Sequence, residues 1–131
     1  MSRPWSEDFS ADFGPFAVTP MAQAFYQVIS ATGATAGLYG ADWQQSPFNL
    51  TYVVEVPGGT TVSYSVQYTL DDMNDLTWTP IWINDSVNGS ATTVTGTNTY
   101  KEQPIRWLRV NVASISGGNI RFAVLQGSSA R

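Results

Sequence analysis

The densest run of potential ligand atoms is Asp71-Asp72-Met73-Asn74-Asp75, three carboxylates and an amide in five residues. Oxygen-rich loops of this kind can hold Ca²⁺. An EF-hand loop also needs a glycine for its sharp turn and a bidentate Glu at its end, and this run has neither. Asp and Asn also close turns through their own side chains. The run ends an alternating segment, so a strand-to-strand turn is the simpler reading, and no metal site is assigned.

Acid–base hydrolysis would need two facing carboxylates. The chain has ten Asp and Glu. Most fall in expected loops or near the N-terminus, and only Glu55 lies in a clear strand, on its polar side. There is no His and no Cys, so this chain alone makes no imidazole base, thiolate metal site, disulfide or Ser-His-Asp triad. No catalytic residue and no cofactor are assigned, and an enzyme is not expected.

Five tryptophans (Trp5, Trp43, Trp78, Trp82 and Trp107) and six tyrosines could supply a stacking platform for sugars. Trp107 shares its strand face with Ile105, Arg109 and Asn111, opposite Leu108, Val110 and Val112. Three placements stay open for it: a ligand platform, a subunit interface or a second buried layer. Aromatic and Arg side chains together are typical of interfaces, so Trp107 and Arg109 are interface candidates. The N-x-[ST] triplets at Asn49, Asn84 and Asn88 are read as chance in a chain rich in these residues.

The elements that must position these residues are strands. Val62, Tyr64, Val66, Tyr68 and Leu70 alternate with Ser63, Ser65, Gln67 and Thr69, which puts the apolar set on a core face. Phe48–Val56 alternates likewise, and Pro57–Gly59 joins the two segments as a hairpin or a sandwich edge connection. Ile105–Ala113 and Ile120–Gln126 are two more strands, with Ser116–Asn119 as a hairpin turn. Ala24–Ser30 is aromatic and β-branched enough for a strand. Trp78–Ile83 is a short strand with Pro80 at an edge or bulge. Ser90–Thr99 is a weak strand and loop, and Thr32–Gln45 is a loop. Regular spacing with Gly, Pro, Asn or Asp between segments gives an all-β antiparallel sandwich, jelly-roll or immunoglobulin-like, over residues 21–131. Residues 1–20 interleave Pro4, Gly14, Pro15 and Pro20 with Trp5, Phe9, Phe13 and Phe16. That reads as an extended arm, packed on its own domain or docked on a neighbour, and its aromatics join the interface candidates.

The chain has 131 residues, 43% of them hydrophobic and only 12% charged, with a net charge of −4. Six scattered Lys and Arg make no basic stripe, so nucleic acid is not an expected partner. No apolar run approaches the roughly 20 residues of a membrane helix. The N-terminus has no signal-peptide core, and synthesis in a cytoplasm is expected.

The segments YSVQYTLDD (Tyr64–Asp72), Trp78, QPIRWLRVNV (Gln103–Val112) and GNIRFAVLQ (Gly118–Gln126) resemble small β-sandwich virion proteins of tailed bacteriophages. The resemblance covers about residues 48–127. It implies a non-enzymatic capsid decoration (cement) protein, or a head-fibre or tail part. It further implies a homo-oligomer, often a trimer, that binds the major capsid protein or other virion proteins and resides in a virion assembled in a bacterial cytoplasm. The same segments loosely resemble discoidin-type jelly rolls that bind sugars or lipids, with Asp72 where a glycine should stand. The alternative function is therefore a carbohydrate-binding or adhesion module of a phage fibre or tail.

Overall fold

The computed structural model describes residues 23–127, and the alternation is realised in eight strands. They are β1 (Gln23–Ile29), β2 (Gly33–Gly40), β3 (Asn49–Glu55), β4 (Thr61–Thr69), β5 (Ile83–Asn84), β6 (Gly96–Lys101), β7 (Trp107–Ser116) and β8 (Ile120–Gln126). They form two four-stranded sheets in the orders β1-β8-β3-β6 and β2-β7-β4-β5. Every pairing is antiparallel. The pairs β1/β8, β2/β7, β3/β6 and β4/β5 make the chain one long hairpin, bent at β4–β5 and rolled up. Contacts of β8 with β3 and of β7 with β4 close the roll. The fold is a jelly roll, an all-β architecture with two facing sheets.

Period-2 alternation places every second side chain between the sheets. Leu50, Tyr52 and Val54 of β3 meet Val62, Tyr64 and Val66 of β4, Leu108, Val110 and Val112 of β7, and Ile120, Phe122 and Val124 of β8, all buried. Each such side chain contributes about 1.5–3 kcal/mol on burial. The core thus comes from the strands whose alternation is cleanest in the sequence.

Several expectations are corrected. Thr32–Gln45 is not a loop throughout: Gly33–Gly40 is β2, paired with β7. The segment lacks a legible alternation because its buried glycine sits under bulky neighbours. A Cβ on Gly37 would lie 2.8 Å from Ile29 Cδ1 and 3.0 Å from Phe122 Cδ2. Ser116–Asn119 does not close a hairpin, and Pro57–Gly59 is the sandwich edge connection rather than the hairpin. β3 and β8 belong to one sheet and β4 and β7 to the other, so both turns cross the sandwich. Trp78–Trp82 is not strand, and only Ile83–Asn84 pairs with β4. The weak strand near Ser90–Thr99 starts at Gly96 and runs to Lys101. The alternation of β4 fails at its end: Thr69 is fully buried, Tyr68 only partly, and Leu70 is exposed. The arm, with Trp5, Phe9, Phe13 and Phe16, lies outside the described residues.

Candidate interaction surface

One end of the roll gathers the connections 41–48, 70–82 and 102–106, between β2 and β3, β4 and β5, and β6 and β7 respectively. The carboxylate run lies in the middle connection, and its geometry is that of successive side-chain turns. Asp72 Oδ1 accepts from the Asn74 N–H at 2.9 Å, and Asp75 Oδ1 accepts from the Thr77 N–H and hydroxyl at 3.0 and 2.6 Å. Those bonds from Thr77 hold the Asp75 carboxyl below its ordinary pKa. Asp71 Oδ2 accepts from the Ile81 N–H at 2.8 Å, which ties the two ends of the connection together. Three carboxylates thus brace one loop. No group of three His, Cys, Asp or Glu among the described residues comes close enough together to hold a metal.

That connection passes over the outer face of the β2-β7-β4-β5 sheet. Arg109 on β7 is flanked by Leu38 on β2 and Gln67 on β4. Its Nε donates to Gln67 Oε1 at 2.8 Å, and Gln67 Nε2 donates in turn to Asn84 Oδ1 at 2.8 Å. The guanidinium stacks on the Trp82 ring, 4.1 Å from its centroid. This burial lowers the Arg109 pKa, although a guanidinium stays charged. The polar face of β4 is therefore not simply solvated: its Gln67 belongs to a side-chain row that runs across three strands and carries a tryptophan lid.

Trp107 is half-buried and its ring covers Gly40, where a Cβ would meet ring carbons at 3.0–3.4 Å. Ile105 does not share its face. It precedes the strand and is buried in the core. Next to Trp107 a groove opens across the end of the roll. Its apolar part, about 210 Å³, is lined by Trp43, Leu70, Pro104, Ile105 and Arg106. It continues past Trp43 and Arg106 to Trp107, Asp72 and Asn74. The Arg106 guanidinium lies 5.0 Å from the Trp43 ring centroid, and Trp43 keeps 44% of its surface exposed. Backbone bonds from Ala41 N–H to Arg106 O and from Arg106 N–H to Thr69 O fix the floor, at 2.9 and 3.0 Å. Trp107 and Arg109 thus differ: the first walls an open groove, the second lies beneath a loop.

Gln126, fully buried, anchors that end of the roll. Its Oε1 accepts from the Tyr39 hydroxyl at 2.9 Å and the Asp42 N–H at 3.0 Å. Its Nε2 donates to Asp42 O at 2.8 Å and Gln45 Oε1 at 3.2 Å. A buried amide with both ends satisfied costs little and fixes the loop that carries Trp43. Tyr39 has its hydroxyl pKa pushed up to about 12 by burial and by Asp42.

Sequence reasoning missed the other buried polar centre. Asp85 is 4% exposed. Its Oδ2 accepts from the Tyr52 hydroxyl at 2.7 Å and from the Val87 and Asn88 N–H groups at 3.1 and 2.8 Å. Its Oδ1 accepts from Asn98 Nδ2 at 3.0 Å and from the Tyr100 hydroxyl. Burial alone would raise the carboxyl pKa, but the bonds from Tyr100, the Asn88 amide, Tyr52 and Asn98 outweigh it and hold it low. Burial raises the Tyr52 and Tyr100 hydroxyls far above their ordinary value, so both stay neutral donors. Asn88 is itself buried and donates to Tyr52, which removes its sequon from any surface role. The sequence did hold a signal: core tyrosines need partners for their hydroxyls.

The surface also carries a large apolar load. Leu76 is 95% exposed, and Leu70, Trp78 and Ile81 on the same connection are 58–63% exposed. A second set, Tyr26, Val28 and Leu125, lies on the outer face of the β1-β8 pair.

No protein-family model matches the sequence, and no curated protein matches it. Among solved structures, a chain from the massively expanded particle of equine rhinitis A virus, a picornavirus capsid, superposes with a TM-score of 0.44 at 9% identity. The superposition covers 98% of this chain and 87% of that chain. A likeness this distant bears on neither family nor function.

Proposed function

We propose that the protein is a non-enzymatic structural component of a tailed-phage virion, a head decoration protein that binds neighbouring capsid subunits. The observation that carries this reading is the 70–82 connection. It presents Leu76, Trp78 and Ile81 to solvent with three carboxylates and no basic residue. Large apolar side chains gathered on one exposed loop mark a contact surface. The carboxylates are held by N–H and hydroxyl groups of the same loop, which lowers the cost of desolvating them in a contact. Repetition over a lattice then lets weak contacts add up through avidity. The arm residues Trp5, Phe9, Phe13 and Phe16, together with Trp107, are further proposed contact residues, with Arg109 holding Trp82 and its loop in place rather than meeting a partner, and the protein would work as a homo-oligomer in the particle.

The test is co-sedimentation of purified protein with heads assembled without it. Binding at saturating stoichiometry is expected, with at least a ten-fold loss in Leu76→Ser/Trp78→Ser. Protein that stays in the supernatant at every concentration would overturn the reading. A carbohydrate-binding module is the second reading, favoured by the exposed Trp43 beside Asn74, Asp72 and Arg106. It gives the apolar loop no task. A glycan array, with Trp43→Ala as control, decides it.

A further inference from the structure

We propose that the groove between Trp43, Leu70, Pro104 and Arg106 is the seat of the chain's own N-terminal segment, residues 1–22. Chain path is the first argument. β1 begins at Gln23, which pairs with Gln126. The Gln126 side chain holds both backbone groups of Asp42, the neighbour of Trp43. The 22 residues ahead of β1 therefore join the fold at the end where the groove opens. Phe16 stands seven residues before Gln23, an extended reach of at most about 25 Å. Trp5 reaches further still, onto its own domain or a neighbouring copy.

Composition is the second argument. The segment interleaves Trp5, Phe9, Phe13 and Phe16 with Glu7, Asp8 and Asp12, against a single Arg3. The groove offers a matching surface: apolar walls from Leu70 and Pro104, an exposed indole, and the Arg106 guanidinium. Arg106 stacks on Trp43 and forms no ion pair among the described residues. Asp72 lies at the same rim, but its Oδ1 is held by the Asn74 N–H. Tryptophan beside arginine in a pocket is the composition of binding hot spots. The alternative seat, the outer sheet face with Tyr26 and Val28, has its Arg121 already bonded to Glu55 at 2.9 Å. This assignment does not depend on the virion reading, because it holds whether the segment sits on its own domain or on the next copy.

The chain has no cysteine, so Ser10→Cys in the full-length protein takes a single nitroxide label. The expected result is at least a two-fold loss of amide signal intensity at Trp43, Asn74, Arg106 and Trp107. Gly59 and Gly117, in turns at the opposite end of the roll, should be unaffected. Trp43→Ala/Arg106→Glu in the labelled protein should restore the lost intensity, with the rest of the spectrum reporting that the fold is intact. Broadening at Val28 and Leu125 instead, or none at the groove, or broadening that survives the double variant, would overturn the assignment. Mixing isotope-labelled protein that lacks the nitroxide with nitroxide-bearing protein at natural abundance then tells a segment from the neighbouring copy from one on its own domain. Either location supports the seat. Only failure to bind heads counts against the virion reading.

Discussion

Asp85 offers the most direct test of what holds this sandwich together. Replacing it by alanine strands five donors: the Tyr52 and Tyr100 hydroxyls, the Val87 and Asn88 N–H groups, and Asn98 Nδ2. Each buried donor left unpaired costs about 1–3 kcal/mol. The five do not add, because the freed hydroxyls can rotate toward other acceptors and water can enter the gap. After such repair the equivalent of two or so unpaired donors remains, and the expected loss for Asp85→Ala is about 3–5 kcal/mol. Asp85→Asn keeps the volume and one oxygen. That oxygen serves the three donors on the Oδ2 side, while the new amide faces Tyr100 and Asn98. The expected loss is about 1–3 kcal/mol. Urea unfolding followed by tryptophan fluorescence measures both. With a slope of about 2 kcal/mol per molar, a loss of 2 kcal/mol lowers the midpoint by about 1 M.

The same carboxylate makes stability depend on pH, with a definite sign. Its folded pKa lies below the unfolded value of 3.8, so its contribution is fully present above that value. It is lost as pH falls below 3.8 through the folded pKa. Asp85→Asn should therefore show a shallower loss of stability than the parent over that acid range, and the two curves should converge there. Asp75 shifts in the same direction, but the change is shared by both proteins and cancels in the comparison. Equal midpoints at pH 7 together with equal acid slopes would refute the reasoning. So would an undiminished effect of Tyr100→Phe in the Asp85→Asn background, because the two residues would then not be coupled.

Gln126→Leu removes the acceptor of the Asp42 N–H and the donor to Asp42 O and should cost about 1–3 kcal/mol in urea unfolding. Gly37→Ala pushes a methyl against Ile29 and Phe122 and should cost about 1–3 kcal/mol, read as a lower melting temperature. Arg109→Ala removes the stack under Trp82 and should cost about 1–2 kcal/mol, with a shift of the Trp82 indole proton resonance. Arg121→Ala breaks an ion pair whose partners are 46% and 51% exposed and should change stability by less than about 0.5 kcal/mol, with no shift of the urea midpoint outside error.

The strands legible in the sequence are those in which large apolar and small polar residues alternate. β3, β4, β7 and β8 could be read because Leu50 to Val54, Val62 to Val66, Leu108 to Val112 and Ile120 to Val124 place a large side chain at every second position. β2 could not, because its inward position at Gly37 must be empty for Ile29 and Phe122 to fill the space. A packed interior thus erases its own signal wherever one partner supplies the volume for two. Alternation also says which face a residue takes and not which sheet its strand joins. The turns at Pro57–Gly59 and Ser116–Asn119 carry ordinary hairpin residues, yet both cross between sheets. Asp85 was illegible for a related reason. It sits in NDSVNGS, a string that reads as loop, and its partners Tyr52 and Tyr100 lie 33 and 15 residues away. Only the rolled topology brings two core tyrosines to one carboxylate. Legibility and function then separate in this chain. The run Asp71–Asp75, the strongest chemical signal in the sequence, braces a loop. The proposed contact surfaces are the apolar side chains of that loop and the groove beside Trp43, where single-residue chemistry is weakest and recognition depends on shape.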